Sequence, residues 1–414
     1  MQGPQTDVDL AIVGGGMVGA SLAVALAGTA LRVALIEAAD PAASSQPSFD
    51  DRTTALGNSS RSILESLGLW ARIAPEAAPI RTIHVSDAGR FGVARLVAAN
   101  QGLEAFGYVV SNRVIGAALR EALKLQGNLQ LLMPAVAGEI RVDSVGVEID
   151  YAYRADAEQR RRLRARLVIA ADGAGSSLRA QLGLGAAVVD YGQTAVIANL
   201  GADQPASGTA FERFTESGPI ALLPLFDGSY GVVWAMQPAL AEQALSWEQP
   251  RFLASLQQAF GWRAGRFTRV GRRSAYPLAL TRAEAVHAPR ALLIGNAAQA
   301  LHPVAGQGFN LGLRDAAVLA ETLAQSMGTD GDIGSEAVLV RFAAARAADR
   351  RGVTQFTDSL VRLFGDSRPS VATLRNLGLL AFDLAPPVKA ALSRVSWGFA
   401  GRASRLARGL SIAD

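Results

Sequence analysis

The segment from residue 9 to residue 37 constrains the fold more than any other part of the sequence. It reads as a short apolar strand (DLAIV), a glycine-rich turn (GGGMVG), a helix rich in alanine and leucine, and a second apolar strand that ends on Glu37. The turn carries the pattern Gly14-x-Gly16-x-x-Gly19. Its three glycines allow the tight turn, the approach of a pyrophosphate to the backbone, and close packing of the helix on the strand. A unit of this kind predicts a parallel sheet with a right-handed crossover.

Glu37 and the start of the helix indicate which ligand the turn binds. The N–H groups and the positive dipole end of a helix N-terminus favour phosphate. A carboxylate at the end of the second strand, as Glu37 is here, accepts from both ribose hydroxyls and favours a ribose without a 2′-phosphate. We therefore predict a Rossmann-like α/β domain that binds FAD or NAD rather than NADP.

Two further glycine-containing motifs follow apolar strands. The strand LVIAA leads to Asp172-Gly173 in ADGAGSSLR (171–179), and the strand ALLI (291–294) precedes GNAAQALHPVAGQGFNLGLRDA (295–316). Ligands of such sheets bind at the carboxyl ends of the strands. Helical spacing from about residue 308 to 326 predicts a second helix N-terminus beside Gly306-Gln307-Gly308. It suits the pyrimidine edge of a flavin, which gains negative charge on reduction.

The composition points to an organic cofactor for any oxidation chemistry. The 414 residues contain no cysteine and only three histidines, His84, His287 and His302. This excludes thiolate nucleophiles, iron–sulfur clusters and cysteine–zinc sites, and it disfavours a site with several histidine ligands. The net charge of +4 suits an anionic ligand or membrane surface as well as nucleic acid. The arginine run at 160–166 alternates with apolar residues and lacks interleaved aromatics, so we interpret it as a solvated strand face rather than a nucleic-acid site.

In the rest of the chain, the spacing of apolar residues predicts helices over 59–72, 111–125 and 247–260, and mostly helix from residue 336 onward. Most of the segment from 186 to 275 reads as strands. The N-terminus lacks the basic start and cleavage site of a signal peptide, and no stretch predicts a membrane span. We therefore expect a cytoplasmic location.

The three motifs together resemble the FAD-dependent aromatic hydroxylases of the para-hydroxybenzoate hydroxylase type. Within that superfamily the chain is similar to the ubiquinone-biosynthesis hydroxylases, most of all to the branch that acts on 2-polyprenyl-6-methoxyphenol. The resemblance covers nearly the whole chain and rests on FDDRTTALG (49–57), TIHVSDAG (82–89), AVIANL (195–200), FERFTESGPIALLP (211–224), AFGWRAG (259–265), RSAYPLALT (273–281) and residues 295–315. Most members of the superfamily have Gly-Asp where this chain has Gly295-Asn296, and Asn is typical of this branch.

The resemblance implies a role for individual residues. The implied cofactor-binding residues are Gly14, Gly16 and Gly19 at the pyrophosphate, Glu37 at the adenosine ribose, Arg52 and Arg113 beside the FAD, Asp172 in the Asp-Gly motif, Asn296 near the ribitol, and Gly306, Gly308 and Asn310 along the flavin ring. Pro303, His302 and Gln307 are the implied catalytic residues of the flavin loop. His302 is open to two interpretations, a proton relay beside the flavin or an ordinary structural histidine. No metal site is expected.

The resemblance also implies the chemistry and its reactants. NADH or NADPH docks transiently and reduces FAD, O₂ reacts with the reduced flavin, and a flavin hydroperoxide hydroxylates an electron-rich phenol ring. The implied substrate is a polyprenyl phenol, and other ubiquinone-biosynthesis proteins are candidate partners. Two alternatives stay open: a ring hydroxylase of the same pathway that acts at another carbon, and a non-catalytic flavin-binding scaffold subunit.

The predicted domains are an FAD-binding domain (1–74, 104–183 and 276–340), an inserted, mostly antiparallel substrate domain (75–103 and 184–275), and a C-terminal helical region (341–414). The segment 388–410 has five basic residues and no acid. It is either a helix packed on the core or a basic amphipathic helix at the inner face of the membrane. A polyprenyl substrate favours the second interpretation.

Overall fold

The computed structural model describes residues 7–40, 52–302, 306–329, 331–365, 368–383 and 403–412. Its strands are β1 (Val8–Val13), β2 (Val33–Ile36), β3 (Thr53–Gly57), β4 (Ala78–Pro79), β5 (Thr82–Asp87), β6 (Val93–Val97), β7 (Gly107–Ser111), β8 (Leu129–Leu132), β9 (Ala135–Val142), β10 (Val147–Tyr153), β11 (Asp156–Ala170), β12 (Ala186–Ala202), β13 (Thr209–Thr215), β14 (Gly218–Pro224), β15 (Tyr230–Met236), β16 (Phe267–Val270), β17 (Ser274–Ala283), β18 (His287–Ala288), β19 (Ala291–Leu293) and β20 (Gln299–Ala300).

Its α-helices are α1 (Met17–Ala25), α2 (Asn58–Ser66), α3 (Trp70–Ile73), α4 (Asn112–Lys124), α5 (Ser177–Gln181), α6 (Pro238–Ser246), α7 (Gln249–Phe260), α8 (Gln307–Thr329), α9 (Glu336–Gly365) and α10 (Pro369–Asp383). In the part of the chain that the structure describes, no helix is both long enough and apolar enough to cross a membrane.

The first sheet has the strand order β18-β19-β11-β1-β2-β8, and in addition β10 pairs with β11 and β9 pairs with β10. β1 pairs in parallel with β2 and β11, as the strand–helix–strand pattern predicts. Successive residues of β1 enter two different cores, because Leu10 and Ile12 pack toward α1 and α8 while Ala11 and Val13 pack toward β9 and β10. Burial on both faces explains why this strand is apolar from Leu10 to Val13.

The second sheet has the order β20-β17-β12-β15-β14-β13-β5-β6, and its pairs are antiparallel except for β13 with β5. One face packs against α6 and α7, through residues such as Val196, Leu222 and Val232. The residues that alternate with these point to the opposite face. The sheet therefore has one face in a core and one face that is free to form a binding surface.

The fold class predicted from the sequence is confirmed, but the bounds of several predicted elements differ from those in the structure. The helix predicted over 59–72 is divided into α2 and α3, because Gly68 takes a left-handed φ of +70° between them. The helix predicted over 247–260 is present as α7, and an additional helix, α6, precedes it and is separated from it by Trp247, which has extended backbone dihedrals. The domain boundary at residue 276 falls inside β17, all of which belongs to the second sheet.

The arginine run at 160–166 lies in β11 and is matched by carboxylates of the same sheet and its connections. Arg162 lies 3.6 Å from Asp150, Arg164 pairs with Asp143, and Arg166 lies 3.7 Å from Asp9. The alternating Leu163, Ala165 and Leu167 are buried. The arginines of this run therefore form ion pairs with carboxylates at the surface of the sheet.

The C-terminal segment 388–410 lies partly outside the described residues. Its end, from residue 403, packs on the first sheet's core through Leu406, which is 3% exposed. Ser66 Oγ donates to the Leu406 carbonyl at 2.7 Å, and the Arg405 N–H donates to Glu321 at 2.9 Å.

Candidate functional site

A cavity of about 1420 Å³ joins the first sheet to the second sheet and the C-terminal helices. One end is lined by Gly14, Gly16 and Glu37, just beyond the carboxyl ends of β1 and β2. The other end lies between the free face of the second sheet and the helices α9 and α10. The first end is the edge at which sheets of this kind bind their ligands.

The glycine turn can form only because its residues lack side chains. Gly14 has a φ of +102°, and a Cβ on it would collide with the backbone of Ala171. A Cβ on Gly19 would collide with the carbonyl oxygen of Gly14, so α1 packs directly on the turn. Gly16 is the N-cap of α1 and lines the cavity. It has no side chain to compete with an anion for the first N–H groups of the helix.

The carboxylate of Glu37 is held at the end of β2 by the backbone. It accepts a hydrogen bond from the N–H of Gly15 and another, of 2.6 Å, from the N–H of Ala39. An ionised carboxylate has about four acceptor positions. These two bonds therefore fix the orientation of Glu37 and leave acceptor capacity for the hydroxyls of a ribose.

The two predicted arginines occupy different environments. Arg52 lines the cavity, with its guanidinium carbon 4.8 Å from the ring centroid of Tyr276. Arg113 was expected to contact the cofactor, but it lies outside the lining of this cavity, and its half-exposed side chain pairs with Glu76 at 3.2 Å. The preceding residue, Asn112, lines the cavity instead. Consecutive helical residues point about 100° apart, so the two side chains of α4 face different surroundings.

Asp172 lines the cavity and also organises the turn that follows β11. Its carboxylate accepts from Ser176 Oγ at 2.5 Å and from the N–H of Leu178 at 3.3 Å. Ser176 in turn caps α5 by accepting from the N–H of Arg179 at 3.0 Å. The Asp-Gly motif thus presents a carboxylate whose position is fixed by the start of a helix.

The predicted flavin loop reaches the cavity through Asn296, Gly306, Gln307 and Gly308. Gly306 has a φ of +59°, a left-handed conformation that favours glycine, and α8 begins at the next residue. The N-terminus of α8 therefore opens on the cavity, as does that of α1. Pro303 lies outside the described residues.

Asn310 does not line the cavity, but its side chain forms hydrogen bonds that hold the flavin loop. Its Nδ2 donates to the carbonyls of Ala55 and Gly306, each at 2.8 Å. Its Oδ1 accepts from the N–H of Gly57 at 2.9 Å and from Ser60 Oγ at 2.6 Å. Four hydrogen bonds from one buried side chain tie the loop to β3 and α2 and hold its shape.

His302 is buried and lies against Tyr191, with ring centroids 5.3 Å apart. Burial lowers the pKa of His302 to about 4, which makes the ring neutral near pH 7. Tyr191 donates to Asp358 at 2.9 Å, and its own pKa is raised by burial and by that carboxylate. Like Asn310, His302 is not part of the cavity lining. Of the other histidines, His84 is buried on β5, and His287 lies 3.8 Å from Glu336.

A buried ion pair fastens α10 over the cavity. Asp87 of β5 accepts from Arg375 Nη2 at 2.6 Å and Nε at 3.0 Å, and from Asn376 Nδ2 at 3.0 Å. Arg375 also lies over the ring of Phe364, 5.1 Å from its centroid, and that ring stacks on Phe214 at 3.5 Å. These contacts join the C-terminal helices to the second sheet. Sequence patterns gave no sign of them, because the partners lie far apart in the chain.

A further polar residue, Glu212, lines the other end of the cavity, between the second sheet and the C-terminal helices. Glu212 lies in the stretch FERFTESGPIALLP that carried part of the resemblance, but nothing in its local pattern distinguished it from a surface carboxylate. In the structure it lines the cavity.

The residues present fit a flavin dinucleotide. Two helix N-termini, at α1 and α8, open on the same cavity, and one of them follows a turn that a Cβ would block. The first suits a pyrophosphate and the second suits the electron-accepting edge of a flavin. Glu37 lies at the position of a ribose partner, and the apolar end leaves space for a second molecule.

Comparisons with known proteins agree with this geometry. A family model described as an FAD binding domain matches residues 7–357. Ubiquinone hydroxylase UbiL of Rhodospirillum rubrum is 36% identical over 391 residues, which are 94% of this chain and 89% of its own. The 3-demethoxyubiquinol 3-hydroxylase of Escherichia coli is 33% identical over 389 residues, 92% of this chain and 96% of its own.

Among solved structures, p-nitrophenol 4-monooxygenase PnpA of Pseudomonas putida has the same fold. It gives a TM-score of 0.78 at 22% identity, over 94% of this chain and 97% of that one. The predictions of the fold class and of FAD as cofactor are thereby confirmed. The chain belongs to the FAD-binding monooxygenase family in which these ubiquinone-biosynthesis hydroxylases are found.

Proposed function

We propose that the protein hydroxylates the ring of a polyprenylated methoxyphenol in ubiquinone biosynthesis, with NADH or NADPH as reductant and O₂ as oxygen donor. The observation that carries the proposal is the continuous cavity, which joins a dinucleotide site to an apolar compartment. Bound FAD would supply the redox chemistry, taking two electrons from the nicotinamide and activating O₂. The protein would supply binding, orientation and a dry environment.

At the nucleotide end, backbone groups do most of the binding. The N–H groups that follow Gly16 would bind the pyrophosphate, Glu37 would accept from the adenosine ribose, and Arg52 would add positive charge beside the cofactor. The N-terminus of α8 at Gln307 would stabilise negative charge on the reduced flavin. Asn310, which braces the loop, would act as a positioning residue.

At the other end, the lining suits an isoprenoid phenol. The C-terminal helices contribute Phe356, Leu360, Leu363, Phe364, Val371, Leu374, Leu379 and Phe382 to the cavity wall. These side chains would contact the polyprenyl tail. They would also exclude water from the reacting centre, which protects a reactive oxygen donor from unproductive breakdown. The phenol ring would then lie between this apolar wall and the flavin loop.

We also propose that the substrate enters from a membrane surface along α10. Leu374 lines the cavity and is nevertheless 70% exposed, and Leu377 and Leu380 continue an apolar stripe at helical spacing. A polyprenyl tail leaves a bilayer only at a cost of about 0.8 kcal/mol for each CH₂ group exposed to water. Peripheral contact at the inner face of the membrane would avoid that cost.

The relatives support a second candidate, which is hydroxylation of a different ring carbon. One of them is a 3-demethoxyubiquinol 3-hydroxylase, whose name specifies carbon 3 of a demethoxyubiquinol ring. Analysis of the quinone intermediates that accumulate in cells lacking this protein separates the two candidates. The first predicts a methoxyphenol without the new hydroxyl, and the second predicts a demethoxy compound.

A test with the purified protein addresses the chemistry itself. The FAD-loaded protein is incubated with NADH or NADPH, isotopically labelled O₂ and a 2-methoxyphenol carrying a short prenyl tail at carbon 6. We expect one labelled oxygen atom in the product, found by mass spectrometry, and phenol-stimulated oxidation of the reductant. A fully FAD-loaded protein that leaves the phenol unchanged with both reductants would contradict the proposal and favour a scaffold role.

A further inference from the structure

The free face of the second sheet contains one carboxylate in an otherwise apolar row. The strand register places Val85, Glu212, Ala221, Val233 and Ile197 side by side across β5, β13, β14, β15 and β12. All five line the cavity. Because cross-strand neighbours lie about 5 Å apart, the carboxylate has apolar side chains on both sides.

The neighbours along β13 are apolar as well. Side chains two residues apart share a face of a strand, and both Ala210 and Phe214 line the cavity on either side of Glu212. Ala210 is paired with Ile83, which also lines the cavity. Glu212 is therefore surrounded by apolar groups in both directions of the sheet.

Within the described part of the chain, no group donates a hydrogen bond to the Glu212 carboxylate or forms an ion pair with it. The other charged residues that line the cavity are Glu37, Arg52, Arg154, Asp172 and Arg375. Arg375, on the facing helix α10, is bound to Asp87 at 2.6 Å. His84 of β5 alternates with Val85, so it points to the other face, where it lies 3.3 Å from Arg263. The carboxylate is left to face the cavity.

Such a placement is unfavourable for folding. Burial alone raises the pKa of Glu212 to about 7, well above the usual range of a glutamate. A glutamine or leucine would fill the same space without the cost of an unpaired charge. A carboxylate that destabilises the fold and faces a binding cavity is best explained by its action on the ligand.

We propose that Glu212 is a further catalytic residue, whose carboxylate accepts the proton of the ring hydroxyl when the phenol is bound. The phenolic O–H bond breaks, a new O–H bond forms on the Glu212 carboxyl, and the phenol oxygen keeps the electron pair. This electron pair raises the electron density at the ring carbons ortho and para to the oxygen, of which only the para carbon is unsubstituted in a 2-prenyl-6-methoxyphenol. The inference rests on the proposed function, since it requires a phenolic substrate in this cavity.

The variant Glu212→Gln tests the proposal, because glutamine has nearly the same volume and cannot take the proton. Glu216→Gln is the matched control, since Glu216 directly follows the same strand and is exposed. The probes are the short-tailed 2-methoxyphenol and its methyl ether, which has no hydroxyl proton. All three proteins, including the wild type, are used as full-length chains loaded with FAD.

We expect Glu212→Gln to lower kcat/KM for the phenol by about 10²-fold or more, the usual contribution of a general base. The wild-type rate should rise with pH through about 7 as the carboxyl ionises, and the variant should lose this dependence. Conversion of the methyl ether should be equal in wild type and variant. The control should match the wild type in every assay.

The thermal stability of the variant is measured separately, and we expect it to rise although the activity falls. A carboxyl whose folded pKa is raised destabilises the protein as pH rises from its unfolded pKa toward 7. Glu212→Gln should therefore have a higher Tm than wild type at pH 8 and a smaller advantage at pH 5. Glu212→Asp, which keeps a carboxylate, should retain the pH dependence at a reduced rate.

The outcomes distinguish this inference from the proposed function. If the wild type converts the phenol and Glu212→Gln does so at the same rate with the same pH profile, Glu212 is not the base and the function stands. The same conclusion follows if the variant loses equal activity toward the phenol and the methyl ether. If the FAD-loaded wild type converts no phenol, both proposals are wrong.

Discussion

Removal of the Asp87 carboxylate should open the cover that α10 forms over the cavity. Asp87 is 6% exposed and accepts three hydrogen bonds from Arg375 and Asn376. Asp87→Ala takes away these acceptors and leaves the Arg375 guanidinium, whose side chain is also 6% exposed, as a buried cation without its carboxylate partner. α10 can relieve this by moving away from the second sheet into water.

The size of the effect follows from the burial of both partners. Loss of one member of a buried ion pair typically costs about 3–5 kcal/mol. Since about 1.4 kcal/mol corresponds to a factor of ten, a loss of about 3 kcal/mol would increase the open population of α10 by roughly 10²-fold. The attachment that remains consists of hydrogen bonds from the Gly92 N–H to Asn376 at 2.7 Å and from the Arg95 N–H to Asp383 at 2.8 Å, and of apolar contacts through Phe382.

Hydrogen exchange of peptides from α10 measures the opening, and the ratio of peroxide formed to NAD(P)H consumed measures its functional effect. We expect faster exchange in α10 and a higher ratio in Asp87→Ala, with little change in FAD content, because the nucleotide end is distant from this pair. Glu65→Ala is a suitable control, since Glu65 forms an exposed pair with Arg61 at 3.6 Å that contributes about 1 kcal/mol or less.

A double variant tests whether the loss of protection comes from the unpaired Arg375 charge. Asp87→Leu combined with Arg375→Met replaces the pair by apolar side chains and should restore much of the protection. Exchange rates in α10 that are the same in Asp87→Ala and in wild type would refute the reasoning that the pair fastens this helix.

Three further predictions concern other parts of the molecule. Gly16→Val should abolish FAD binding, measured by flavin absorbance after reconstitution, because its side chain would occupy the path of the pyrophosphate. Asp315→Asn should lower the free energy of unfolding in urea by about 3–5 kcal/mol, since this fully buried carboxylate neutralises two buried arginines. Burial opposes ionisation of Asp315, but the two arginines lower its pKa below its ordinary value. The wild type should therefore lose this stabilisation only as the pH falls through the pKa of Asp315 in the folded protein. The variant should lack that dependence on acid pH. Replacement of Leu374, Leu377 and Leu380 by serine should weaken flotation with anionic liposomes while leaving FAD content unchanged.

The parts of the fold that the sequence predicted are those encoded locally. The segment from residue 9 to residue 37 contains a strand, its turn and its helix in one continuous pattern, and the structure has β1, α1 and β2 there. The start of the second helix was predicted within a residue or so at Gln307, because glycines and helical spacing meet at that point. In both places the chemistry depends on backbone N–H groups, which follow directly from the secondary structure.

Side-chain direction was harder to predict, as α4 illustrates. The helix was predicted over 111–125 and is observed over Asn112–Lys124, yet Asn112 lines the cavity and Arg113 does not. A shift of one residue rotates a helical side chain by about 100°, and this rotation is set by packing with distant segments. The direction of the Asn310 side chain could not be predicted for the same reason, because its hydrogen bonds reach residues about 250 positions away.

Glu212 shows most fully why the substrate end could not be predicted. In the sequence it alternates with Phe211 and Arg213, a pattern that is compatible with either face of the strand pointing to water. The register of five strands, drawn from residues 82–236, decides which face meets the cavity. Only that register turns an ordinary acidic residue into a carboxylate among apolar side chains. The same pairing that makes Glu212 costly for the fold makes it available to a phenol, and so the two properties should be lost together in Glu212→Gln.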